Sequence, residues 1–101
     1  MDRQYYVYIL ASRPNGALYI GVTSRPWQRI AEHRNGAGSR HALRYKIRRL
    51  VYIERHDRVV DALAREKAMK AWKRAWKIEL IQADNPDWRD LWPELVNLPY
   101  Q

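Results

Sequence analysis

Two aromatic and β-branched runs, residues 4–11 and 17–22, stand on either side of Ser12-Arg13-Pro14-Asn15-Gly16. Asn-Gly between such runs is the strongest short-range hairpin signal, because a tight turn needs residues that accept positive φ. The returning run does not end in a loop. It passes through Gly21 to Thr23 and Ser24, either of which can cap a helix, and Pro26 is tolerated in a helix's first turn. Asn35-Gly36 then stops that helix. If the turn holds an even number of residues, positions of opposite parity share a face. Tyr8 and Tyr19 are then near neighbours, with open space beside them at Gly21. An odd turn separates them.

On the first helix Arg29 and His33 are spaced i, i+4 and share a face, while Trp27 and Ile30 can bind the helix to the sheet. Residues 36–46 read as a mobile basic loop. It is not a phosphate loop, since no strand precedes Gly36 and Gly38 and no Lys-Ser/Thr follows them. Residues 47–54 are a third strand. Asp57 is placed to cap a helical stretch from Arg58 to about Ala71, with room for a break before a further helix to Ile81. Its apolar register takes in Val59, Ala62, Leu63, Met69, Trp72 and Trp76. Glu66 falls in the same register, and a carboxylate on a packing stripe is costly unless something pairs with it. Lys70 or an arginine can supply that partner and make Glu66 purely structural. Residues 83–86 end the helix, and a Trp- and Pro-bearing tail packs back. The order β-β-α-β-α-α gives an α+β fold, a small three-stranded antiparallel sheet flanked by helices.

The chain's 101 residues suffice for a single domain spanning 1–101 with a modest core. The absence of cysteine excludes disulfides, thiolate chemistry and Cys-rich zinc sites, and His33, His41 and His56 have no metal-ligand spacing. No apolar run approaches membrane-spanning length and no signal-peptide pattern opens the chain, so a cytoplasmic protein without membrane partners is expected. The formal charge of +8 is uneven. Residues 25–49 carry eight Lys/Arg against Glu32, and residues 65–77 carry six against Glu66. Such a field favours a polyanion, whose phosphates release counterions on binding. An anionic lipid surface or an acidic protein is the competing partner.

The segment Tyr6-Val7-Tyr8, then Tyr19-Ile20-Gly21 eleven residues after Tyr8, then Arg29, His33, Arg65-Glu66-Lys67 and Asn85-Pro86-x-Trp88, resembles the GIY-YIG nuclease family. The resemblance runs from about Gln4 to Asp90 and is nearest to the small single-domain bacterial members. Tyr6 stands where the motif's name has glycine, a substitution usual for that branch. The resemblance implies a metal-dependent phosphodiesterase. It makes Tyr8 and Tyr19 the catalytic tyrosines, Arg29 the catalytic arginine, Glu66 the metal ligand, His33 the helix histidine of many members and Asn85 an active-site support. It also implies DNA as substrate, with RNA not set aside, in repair or recombination, and a protein partner supplying the target choice that an extra DNA-binding domain gives other members.

Residue chemistry agrees. Mg²⁺ or Mn²⁺ is a hard cation held by one or two carboxylates plus water and phosphate, and with Glu66 as the carboxylate in register a single ion is expected. Arg29 can hold charge on the scissile phosphate, and a tyrosine whose pKa is lowered beside it can act as general base. Arg25, Arg40, Arg44, Lys46 and Lys70 are candidate phosphate contacts without base specificity. Against these stand sheet packing for the tyrosines, helix capping for His33 and core burial for Trp72, Trp76, Trp88 and Trp92. The rival functions are a non-catalytic nucleic-acid-binding module on the same fold and a protein-interaction domain.

Overall fold

The computed structural model describes residues 3–36, 40 and 44–96. Its elements are β1 (Tyr5–Ala11), β2 (Leu18–Thr23), α1 (Pro26–Arg34), β3 (Arg49–His56), α2 (Val59–Ala71), α3 (Arg74–Asp84) and α4 (Trp92–Val96). The sheet is antiparallel with strand order β2-β1-β3, so the first strand is the central one. Central strands are covered on both faces and read as unbroken apolar runs, which is the pattern of β1. Val7, Ile9 and Ala11 join the core that Ala62 and Met69 of α2 and Ile81 of α3 complete. Tyr8 and Leu10 point the other way, into a core closed by Ile30 of α1 and Leu95 of α4.

The hairpin forms as its sequence predicts. Residues 12–17 separate the paired Ala11 and Leu18, an even number, and Tyr8 pairs with Gly21 while Leu10 pairs with Tyr19. Asn15 takes φ 58°, and the Ser12 hydroxyl accepts from the Ala17 N–H at 3.0 Å. The third strand begins later than its apolar run, because Ile47 is buried ahead of the pairing. Between Ile9–Tyr52 and Leu10–Leu50 the register slips by one, leaving Val51 unpaired. This bulge lets the consecutive residues Val51 and Tyr52 both enter the core beneath α2 and α3.

Helix boundaries differ from the capping expectation. Arg25, not Thr23 or Ser24, is the N-cap of α1 and makes no side-chain cap bond. Thr23 instead accepts from the Arg25 N–H at 2.9 Å, tightening the turn that leads into Pro26. The C-terminus follows expectation, with Asn35 at the cap and Gly36 at φ 83°. Arg58 rather than Asp57 caps α2, again without a side-chain bond. The break after α2 is real: Trp72 and Lys73 are both extended, with ψ 153° and 147°.

The apolar register of α2 is narrower than its composition suggests. Ala62 and Met69 are fully buried, but Leu63 is 50 % exposed, and Val59 and Val60 are also exposed. Leu63 lies about 100° round the helix from Ala62, outside the seam that meets the sheet. The tail packs back as expected. The Leu91 N–H donates to the Leu50 carbonyl at 2.7 Å and the Trp27 indole to the Leu95 carbonyl at 2.8 Å. Asp90 holds the junction by accepting from Arg34 at 2.6 Å, from the Leu50 N–H at 3.2 Å and from the Trp92 N–H at 3.1 Å. Most of the expected basic loop over 36–46 lies outside the described residues. No helix among the described residues is long and apolar enough to cross a membrane.

Candidate active site

The site begins where β1 and β2 pair. Opposite Tyr8 stands Gly21, and a Cβ built on that glycine would lie 2.5 Å from both the Cζ and the hydroxyl of Tyr8. Only a residue without a side chain lets the Tyr8 ring lie across the β2 backbone. Tyr19, one pair further along the same face, brings its ring centroid to 6.4 Å from that of Tyr8. Helix α1 crosses this face, anchored by Ile30, and its last turn inserts His33. The imidazole is buried, 4.7 Å centroid to centroid from Tyr19, with Nε2 at 3.2 Å from the Tyr8 hydroxyl.

Arg29, one helical turn before His33, donates to Glu32 at 3.0 Å and faces both phenols, where its charge and hydrogen bonding favour a Tyr8 phenolate. Glu32 is not among the expected site residues, yet its i, i+3 spacing from Arg29 is a helix pairing distance, and it orients the guanidinium. Glu66 reaches the same locus from α2. Its side chain is 19 % exposed, pairs with Lys70 at 3.5 Å, and its charge acts on the Tyr8 hydroxyl. Tyr8, Tyr19, Arg29 and His33 thus come from β1, β2 and α1 to one place, and the charge of Glu66 on α2 acts there.

The electrostatics differ from the expected lowered phenol. Burial first, and then the Tyr19 phenol, push the Tyr8 hydroxyl well above the ordinary tyrosine range; Arg29 opposes this and Glu66 adds to it. Burial, then the Arg29 charge, lower the pKa of His33, with Glu32 opposing. At neutral pH the pair is therefore a protonated phenol beside a neutral imidazole. A guanidinium can only donate to the Tyr8 oxygen, so the phenol's own O–H is assigned to His33 Nε2. That places the imidazole proton on Nδ1, which is buried and has no hydrogen-bond partner among the described residues.

No group of three or more His, Asp or Glu residues that could cage a metal occurs among the described residues. One partly buried carboxylate, Glu66, next to protonatable phenols and a fixed cation fits a hard divalent ion that keeps water and takes substrate phosphate as further ligands. It does not fit a site built from protein ligands alone. Of the expected phosphate contacts, Arg25, Arg40, Arg44, Lys46 and Lys70 are all exposed. Lys70 sits beside Glu66, and Arg44 lies over the Tyr45 ring at 5.6 Å.

Asn85 stands apart from the cluster in its bonding. Its Nδ2 donates to the carbonyls of Val51 at 3.1 Å and Arg89 at 2.9 Å, and its Oδ1 accepts from the Arg89 N–H at 2.9 Å. It ties the tail to β3. Among the tryptophans expected in the core, Trp88 is buried, Trp72 and Trp92 are half-buried, and Trp76 is 51 % exposed. Trp76 sits in the first turn of α3, beyond the break that separates this helix from α2.

Residues 4–79 match the GIY-YIG catalytic domain. A UPF0213 protein of Staphylococcus saprophyticus is 39 % identical over 84 residues, covering 80 % of this chain and 96 % of that one. A UPF0213 protein of Pseudomonas aeruginosa is 39 % identical over 75 residues, 74 % of this chain and 71 % of its own. One from Natronomonas pharaonis is 36 % identical over 81 residues, 80 % and 94 % of the two chains. No solved structure matches the chain. The matched span includes every residue of the tyrosine, arginine, histidine and glutamate cluster, and the chain belongs to the GIY-YIG family.

Proposed function

We propose that this protein is an endonuclease that hydrolyses phosphodiester bonds in DNA, with one Mg²⁺ or Mn²⁺ ion held by Glu66. The observation that carries this reading is the convergence of Tyr8, Tyr19, Arg29 and His33 at a locus the Glu66 charge also reaches. When bound, the ion supplies Lewis-acid stabilisation of charge on the phosphate. The chain's own residues do the rest. Arg29, held by Glu32, meets the non-bridging oxygens as negative charge builds there. His33 Nε2 takes the proton of Tyr8, freeing that oxygen to take one from the attacking water. Tyr19, on the same face, orients the phosphate or shares that role. Arg25, Arg40, Arg44, Lys46 and Lys70 contribute phosphate contacts. Target choice rests on a protein partner or on DNA structure rather than on base sequence.

The test is cleavage of single-stranded, nicked and branched DNA with and without Mn²⁺, alongside binding. Wild type is expected to cut only with the ion, and Glu66→Ala is expected to lose cutting by at least about 10²-fold while still binding. Wild-type protein that binds DNA with a steep salt dependence but never cuts it would make the chain a binding module.

A further inference from the structure

We infer that the break between α2 and α3 carries a stacking platform, built on Trp76, for an unpaired base in a single-stranded segment of the DNA substrate; this rests on the nuclease reading above. Trp76 is half exposed, outside the seam between helix and sheet. It walls a groove of about 510 Å³ whose other lining residues are Trp72, Glu79, Leu80 and Ala83. Apart from Glu79 that lining is apolar, and an apolar groove by itself names no occupant.

Charge names it. Lys73 Nζ sits 5.8 Å from the Trp76 ring centroid. Lys77 is tethered back to the end of α2 by donating to the Lys70 carbonyl at 3.3 Å, and Arg74 is fixed against the hairpin through the carbonyls of Asn15 at 2.8 Å and Gly16 at 2.6 Å. An aromatic face with a lysine over it, and Arg74 and Lys77 on neighbouring positions of the same helix, is an arrangement that holds single strands, with the base on the ring and the phosphates on the cations. A protein partner with an apolar anchor would have to bring acidic groups to the same rim. A duplex offers no free base face.

The platform is also pre-organised and continuous with the catalytic cluster. Glu54 accepts from the Tyr52 hydroxyl at 2.6 Å and from Arg65 Nε at 3.0 Å, and the Arg65 guanidinium lies 5.1 Å over Trp72. Trp72 in turn meets Trp76 edge-to-face at 6.4 Å. Lys70 pairs with Glu66 at 3.5 Å while its carbonyl takes Lys77. From Glu66 to Trp72 is six residues of helix, about 9 Å. A strand cut at Glu66 can therefore run along Lys70 to the tryptophan.

The experiment measures anisotropy of a labelled oligothymidylate and of a blunt duplex, with wild type, Trp76→Ala and Trp76→Tyr, and sedimentation as a control. Trp76→Ala is expected to weaken single-strand binding about tenfold and duplex binding by less than about twofold, with Trp76→Tyr restoring most of the loss. Unchanged single-strand binding in Trp76→Ala overturns the platform, as does an equal loss for both DNAs. A change in oligomeric state without a change in single-strand binding assigns the groove to a second copy and overturns it too. Cleavage separates the two readings: a wild type that never cuts but shows the Trp76 effect loses the nuclease and keeps the platform. Cutting that persists with no Trp76 effect does the reverse.

Discussion

Replacing Gly21 with alanine probes the site without removing a functional group. The new Cβ would stand 2.5 Å from Tyr8 Cζ, 2.5 Å from its hydroxyl and 3.1 Å from Cε1, and these are the three nearest atoms. Carbon atoms in contact sit about 3.5 Å apart, so the ring must move by about 1 Å. Tyr8 is packed in the core at 1 % exposure and has little room to do so. Overpacking of this kind costs about 2 kcal/mol, and a domain of this length then melts roughly 10 °C lower. A 1 Å shift along the line to His33 also stretches the 3.2 Å contact out of hydrogen-bonding range or closes it into a clash. Misplacement on that scale is expected to lower the proposed DNA cleavage on the order of 10²-fold. The assay is a double-mutant cycle by thermal melting, with Tyr8→Leu as the second change because it removes all three atoms. In that background Gly21→Ala loses its clash and restricts the unfolded chain, so it is expected to be neutral or to stabilise by about 0.5 kcal/mol. If Gly21→Ala is equally destabilising with and without Tyr8, the glycine serves something other than the tyrosine and the reasoning fails.

Other outcomes follow from the same contacts. The pKa of His33 is lowered in the folded protein, chiefly by burial, so the unfolded chain binds its proton more readily. The stability that His33 contributes is present above the ordinary histidine pKa of about 6.5 and is lost as pH falls below it. His33→Gln is expected to flatten the acid limb of the stability–pH curve by up to about 1.4 kcal/mol per pH unit, read by denaturant melts at stepped pH; an unchanged limb refutes the assignment. Asn85→Ala leaves the Val51 and Arg89 groups without their partner and is expected to cost about 3 kcal/mol. Hydrogen exchange in residues 89–95 should quicken with it.

The hairpin and the tyrosine face were legible because both rest on short-range rules. A strand's period of two fixes which residues share a face once the turn length is known, and the turn between the runs 4–11 and 17–22 left only its parity open; pairing of Ala11 with Leu18 makes it even. Arg29 and His33 were legible for the same reason in a helix. The bulge at Val51 was not, since nothing local distinguishes a residue that slips from its neighbours in an apolar run. Nor was the exposure of Val59, Leu63 and Trp76. The number of apolar residues on α2 and α3 exceeds what the seam between helix and sheet can cover, and seam width is a tertiary property. Asn85 shows the opposite case, where a motif residue meets the backbone of a distant strand and organises the tail. The upward push on Tyr8 was also hidden, because burial and not the neighbouring arginine dominates it.

The proposed cleavage requires a divalent ion at Glu66 lying close to the tyrosine–histidine cluster. Paramagnetic broadening by Mn²⁺, followed in the aromatic NMR signals of selectively labelled tyrosine and histidine, reads that proximity. Sub-stoichiometric Mn²⁺ is expected to broaden Tyr8, Tyr19 and His33, and Glu66→Ala is expected to abolish the effect. Broadening that spares Tyr8 and His33, or that persists unchanged in Glu66→Ala, would contradict it.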